Sequence, residues 1–255
     1  MKYLVAAAAV AGSLLFAGAS NATVIFSENF SGYSPLTIAH GATGQNAATS
    51  LSGNTISTDY SYRVPNGENH NGQPDSMYDE GTWTIGTNPI NVHDLWIDKP
   101  SSDPFLMLNG ATANSNPPKT AWESKAIAVT GGTYNYSYDL LNLCCRPGGP
   151  TGTASFLQLW YFANGDETNP IDISTTVHTS AGAHDWDHVN GNFTVGAGFI
   201  RLGLSDNTTI ASGNDFGVDN IRLNDAVPEP ATWGLMIMGF GGLGAMLRRR
   251  RAAFA

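Results

Sequence analysis

TYNYSYDLLNL, residues 133–143, and ASFLQLWYF, residues 154–162, decide the fold. In the first, Tyr134, Tyr136, Tyr138 and Leu140 alternate with Asn135, Ser137 and Asp139. A period of two puts the rings on one face of an extended strand and the polar groups on the other. In the second, Leu157, Leu159 and Tyr161 alternate with Phe156, Gln158, Trp160 and Phe162, so both faces carry apolar groups. That is the expectation for a central strand of a sandwich.

Outward from this pair the pattern repeats. Short alternating runs are separated by turn clusters, and no apolar stripe of helical period lies between residues 23 and 228. Strands are predicted over 23–30, 82–85, 92–97, 105–108, 121–129, 133–143, 154–162, 185–195, 199–205 and 215–223. The fold class is all-β, a β-sandwich over residues 23–226, with residues 40–80 a polar, Gly- and Asn-rich loop or insertion.

Both ends of the chain differ from this body. Residues 1–22 combine Lys2, an apolar stretch and small residues up to Ala22, the pattern of an N-terminal signal peptide. At the other end, residues 227–255 read VPEPATWGLMIMGFGGLGAMLRRRRAAFA. The uncharged run 231–247 has 17 residues and spans about 25 Å as a helix, at the short limit for a single transmembrane crossing. Arg248, Arg249, Arg250 and Arg251 then hold the cytoplasmic side. Gly239, Gly241 and Gly244 spell a dinucleotide fingerprint, but it lies inside the apolar run with no preceding strand.

Removing both ends leaves seven basic residues against twenty acidic ones, a body near −13. Such a surface repels nucleic acid and suits export and cation binding. Cys144 and Cys145 are adjacent, so they form no zinc pattern. They read as a vicinal disulfide, as partners for another chain, or as two partly buried thiols.

The order Val227, Pro228, Glu229, Pro230, Trp233, apolar helix, arginines resembles the PEP-CTERM sorting signal of Gram-negative bacteria, in its PEPxxW variant. The resemblance implies an exosortase-type membrane transpeptidase as partner. It also implies an inner-membrane anchored precursor whose body ends at the cell surface or outside the cell. The body carries a second resemblance in KAIAV (125–129), GGTYNYSYDL (131–140), NDFGVDNIRL (214–223) and FSENF (26–30). These stretches are similar to carbohydrate-binding modules and galactose-binding-like jelly rolls. That resemblance implies a jelly-roll sandwich, with Glu28, Asp219 and Asp215 as candidate ligands of a structural Ca²⁺, an ion that takes six to eight oxygens.

Sugar rings stack on exposed aromatic side chains. The candidates are Trp83, Trp96, Trp122, Trp160, Tyr161 and Trp186, and Trp83 and Trp96, nearest the loop-rich half, come first. In the run 184–188, a strand separates His184 from His188 by about 13 Å, too far to share a metal, and packs Trp186 inward. No nucleophile elbow, phosphate loop or glycosidase signature occurs, and Glu68, Glu80, Glu123 and Glu167 are scattered. The expectation is a non-catalytic structural or adhesive surface protein that takes extracellular polysaccharide as partner and no cofactor beyond Ca²⁺. A module for one defined glycan and an exopolysaccharide hydrolase or lyase are the alternatives.

Overall fold

Alternation is clearest in the longest strands. Across the strand that begins the fold-deciding stretch, Tyr134, Tyr136, Tyr138 and Leu140 are all buried while Asn135 is exposed and Ser137 and Asp139 half-buried. The computed structural model describes residues 22–32, 55–57, 59–62, 77–110, 119–149, 152–166, 168–174, 177–178, 185–210, 213–226 and 239–240. Its strands are β1 (Val24–Glu28), β2 (Thr55–Ser57), β3 (Ser61–Tyr62), β4 (Thr82–Gly86), β5 (Phe105–Asn109) and β6 (Lys119–Ser124). β7 (Ile127–Asn142), β8 (Phe156–Ala163), β9 (Ile171–Asp172), β10 (Val177–His178), β11 (Asp187–Asp206) and β12 (Phe216–Asp225) follow. Among the described residues the structure is mostly β-sheet, as expected. Val24–Asn224 form one compact unit; Met1–Thr23 with Asp225–Ala255 form another, and little of that second unit lies among the described residues.

The strands are hydrogen-bonded in the order β10-β8-β11-β7-β12-β5-β4-β3, with β1 on β12, β6 on β11, β2 on β6 and β9 on β8. Apolar groups from both ends of this path meet in one core. Leu157, Leu159, Trp122 and Leu204 of β8, β6 and β11 pack in the same cluster as Trp83, Leu106, Val218 and Phe26 of β4, β5, β12 and β1. The rings of Phe26 and Trp122 lie 6.0 Å apart. Burying each such side chain stabilises by about 1.5–3 kcal/mol.

Several expectations change. Burial on both faces falls on β5 and most of β4 and not on β8, whose Phe156, Gln158 and Phe162 are only half-buried. Leu106 and Leu108 enter the main core, while Phe105 and Met107 enter a second cluster with Trp96, Leu141, Leu143, Cys144 and Cys145. The strands expected at 185–195 and 199–205 are one strand, β11, and β7 runs unbroken through Gly131 and Gly132. Glycine there continues the strand where it was expected to end it. At φ 83° the Gly131 backbone lies so close to β11 that a Cβ would sit 2.8 Å from the Ala197 nitrogen.

The run 121–129 breaks instead, into β6 and β7. The expected strand at 92–97 is instead a series of turns with a bridge from Trp96 to Cys144, following a 3-10 turn at Pro89–Asn91. Pro89 supplies the fixed φ of that turn. Within the stretch expected as a loop, β2 and β3 form short strands. Among the described residues no helix is long and apolar enough to cross a membrane. Residues 1–21 of the expected signal peptide, the sorting residues Val227, Pro228, Glu229, Pro230 and Trp233, and Arg248 to Arg251 lie outside the described residues. Of the run 231–247, only the helical pair Gly239 and Phe240 is described.

Candidate functional site

The first-choice aromatics are corrected by burial. Trp83 is 1% and Trp96 0% exposed, so neither offers a ring face to a ligand. Trp96 lies at the base of a stack. Its ring is 5.0 Å from that of His93, which in turn stacks on half-exposed Tyr78 at 6.1 Å. The Trp96 indole N–H donates to Asp215 Oδ2 at 2.9 Å, and the Gly110 amide donates to Asp215 Oδ1 at 3.2 Å. Burial holds the Asp215 carboxyl up at about 7 and pushes His93 down to about 4. The adjacent cysteines, joined by a disulfide and buried, pack in the same cluster as Trp96.

The outward face of β8, β11 and β6 is different. Gly203 of β11 stands directly opposite Trp160 of β8 on one side and Glu123 of β6 on the other. Lacking a side chain, Gly203 lets the indole lie flush: a Cβ there would come within 2.1 Å of the ring. The Trp160 N–H donates to Ser205 Oγ at 2.6 Å, and its ring meets the half-buried Phe162 edge-on at 4.7 Å. Arg201, opposite Phe162, places its guanidinium 5.5 Å from that ring and 3.1 Å from Glu123 Oε1. Gln158, opposite Ser205, accepts from Asn207 Nδ2 at 2.9 Å. Two positions before Arg201 on β11, Phe199 is 59% exposed.

Trp160 is thus a buried floor, and Phe162 and Phe199 are the rings that reach solvent. Around them stand an amide pair, a hydroxyl, a carboxylate and a guanidinium. These planar polar groups donate to and accept from vicinal hydroxyls in pairs, while aromatic faces receive the C–H side of a sugar ring. Trp160 and Glu123 were visible among the sequence candidates; Phe162, Phe199, Arg201, Gln158, Ser205 and Asn207 were not singled out. The signal that could have found them is a glycine inside an apolar strand, RLGLS (201–205), across from a tryptophan.

Of the remaining candidates, Trp122 and Tyr161 are core. Trp186 packs edge-on against Phe105 at 5.1 Å, beside the second cluster. His188 Nδ1 is 2.7 Å from Asp139 Oδ1; His184, Glu68 and Glu167 lie outside the described residues. The three calcium candidates separate. Glu28 and Asp219 are buried near one another, and burial first, then Asp139, Asp103 and Glu28, hold the Asp219 carboxyl up at about 7. Asp215 instead serves Trp96 and Gly110. Among the described residues no group of three or more His, Cys, Asp or Glu is arranged to hold a metal ion.

Comparison with known proteins gives two results for the body. No curated protein matches the chain. Solved structures similar to it include a sugar-binding protein, the EclA C-terminal domain, at 18% identity and TM-score 0.37, covering 54% of this chain and 88% of that one. The CBM22-1 xylan-binding domain from Paenibacillus barcinonensis Xyn10C aligns at 10% identity and TM-score 0.36, covering 56% and 85%. A carbohydrate-binding module from Cellvibrio mixtus lichenase 5A, in complex with cellotriose, aligns at 14% identity and TM-score 0.34, covering 60% and 95%. For the tail the result is direct: residues 226–251 match the PEP-CTERM protein-sorting motif, so the chain carries that motif immediately after β12.

Proposed function

We propose that this is an exported glycan-binding protein, held at the cell surface or in the extracellular matrix, whose body is adhesive and not catalytic. The observation that carries the reading is the outward face of β8, β11 and β6, where Phe162 and Phe199 flank Arg201 and Glu123 over the Trp160 floor. The sorting motif supports delivery. An exosortase-type transpeptidase cuts near Pro228-Glu229-Pro230 after the apolar run 231–247 has stopped in the inner membrane, and the body then leaves. The test is retention of the exported protein on a panel of neutral polysaccharides. Retention lost by more than about tenfold on Phe162→Ala, with the fold intact, supports the reading. Binding that survives both Phe162→Ala and Phe199→Ala refutes it.

Glu28 and Asp219 are the residues that would hold a structural Ca²⁺, with backbone carbonyls completing an oxygen shell. Their fit rests on two buried carboxyls on paired strands, Glu28 of β1 standing opposite Ile221 of β12, two residues after Asp219. Asp215 is not part of this set.

A further inference from the structure

We infer that Glu123 tunes the β8–β11–β6 face toward neutral polysaccharide by occupying the Arg201 guanidinium; the inference rests on the glycan-binding reading above. A guanidinium beside an aromatic ring is otherwise the natural receptor for the carboxylate of a uronic acid or for a sulfate ester, through paired N–H donors. Here Arg201 Nε lies 3.1 Å from Glu123 Oε1, and the two side chains are only 21% and 11% exposed. An acidic sugar must therefore displace a carboxylate that is already in place and leave it buried without its cation, which is strongly unfavourable.

The cross-strand pairing adds a second carboxylate. Asp172 of β9 stands directly opposite Trp160, on the same face as Glu123. Of the residues paired across this face, Arg201 is basic and Glu123 and Asp172 are acidic, so the face has a net negative charge within a body near −13. A polyuronate meets repulsion at long range and, on arrival, a guanidinium whose charge is already paired with a carboxylate. A neutral chain keeps the stacking on Phe162 and Phe199 and hydrogen-bonds to Gln158, Asn207 and Ser205 without disturbing the ion pair.

The two partners of the pair predict opposite changes in selectivity. Glu123→Gln leaves the guanidinium available and raises the ratio of uronate to neutral binding. Arg201→Met leaves a carboxylate facing the ligand and lowers it. General loosening of the face moves both variants the same way, so the sign separates charge selection from damage. The exported protein is run in affinity electrophoresis against soluble xylan and mixed-linkage glucan as neutral chains, and alginate and polygalacturonate as uronate chains, at about 20 and about 300 mM salt. Expected is uronate binding at least about tenfold weaker than neutral, a gap narrowing at high salt, and a ratio raised about tenfold by Glu123→Gln and lowered by Arg201→Met. Uronates bound as tightly as neutral chains, or both variants shifting the ratio in one direction, overturns the inference. If such binding is also lost on Phe162→Ala, the face reading survives; if no chain of either class binds, both fall together.

Discussion

Two tryptophans of this protein have their indole N–H satisfied in opposite ways. Trp96 donates to the buried carboxylate of Asp215 beneath a stacked histidine; Trp160 donates to the hydroxyl of Ser205 on an outward sheet face. Both are buried, at 0% and 5% exposure, so burial alone does not tell a structural ring from the floor of a site. What differs is the surroundings. Trp96 is enclosed by apolar groups and the two cysteines, whereas Trp160 lies between a surface ring, Phe162, and the Arg201–Glu123 pair. The first arrangement ties stability to pH, and the second is the one proposed to hold a ligand.

Removing each ring is the strongest way to break the comparison. Trp96→Ala is expected to destabilise by about 3–5 kcal/mol in thermal or denaturant unfolding, while glycan binding per folded molecule stays unchanged. Phe162→Ala is expected to lose binding by more than about tenfold at a stability cost of about 1 kcal/mol. Equal losses of both properties in both variants would mean that the two regions are one cooperative site.

The pH dependence separates them next. Asp215 keeps its proton up to about 7 in the folded chain, against 3.8 for an unperturbed aspartate. The folded state then binds more protons than the unfolded state between about 4 and 7, so this group stabilises at low pH and its contribution is lost as pH rises through that window. His93 works the other way. Its pKa of about 4 against 6.5 leaves the unfolded state binding more protons, so its contribution is present above 6.5 and lost as pH falls toward 4. Each is on the order of 3 kcal/mol, and in the wild type they largely offset one another. Relative to the wild-type profile, the unfolding free energy of Asp215→Asn should therefore rise from pH about 4 to 7 and that of His93→Phe should fall from about 4 to 6.5, with Asp219, also held up at about 7, contributing equally to all three proteins. Parallel profiles would show that the stack does not titrate.

Smaller effects sharpen the picture. Gly203→Ala pushes a methyl into the Trp160 ring and is expected to cost about 1–3 kcal/mol along with glycan binding. Millimolar Ca²⁺ is expected to raise the melting temperature by about 2–6 °C in the wild type and not in Asp219→Asn, with EDTA reversing the gain. No response to either reagent would remove calcium from the account.

The fold was largely legible because alternation is local. The face of Tyr134, Tyr136 and Tyr138, and that of Leu157, Leu159 and Tyr161, followed from spacing alone and are buried as read. The candidate face was not legible, because it is assembled across strands. Gly203 acquires meaning only when β11 brings Trp160 and Glu123 to either side of it, and those residues lie tens of positions apart in the chain. For the same reason the proximity of Trp83 and Trp96 to loop-rich sequence misled: the second cluster covers Trp96 and the main core takes Trp83. Asp215 and Asp219 are four residues apart, yet one satisfies an indole and the other faces Glu28 and Asp139.

The most direct measurement is a titration of the exported protein with a neutral oligosaccharide, followed through the tryptophan indole N–H signals in two-dimensional NMR. The account predicts that the Trp160 signal moves with saturation while those of Trp83, Trp96 and Trp122 stay in place. A shift confined to Trp96 or Trp83, with Trp160 unmoved, would contradict it.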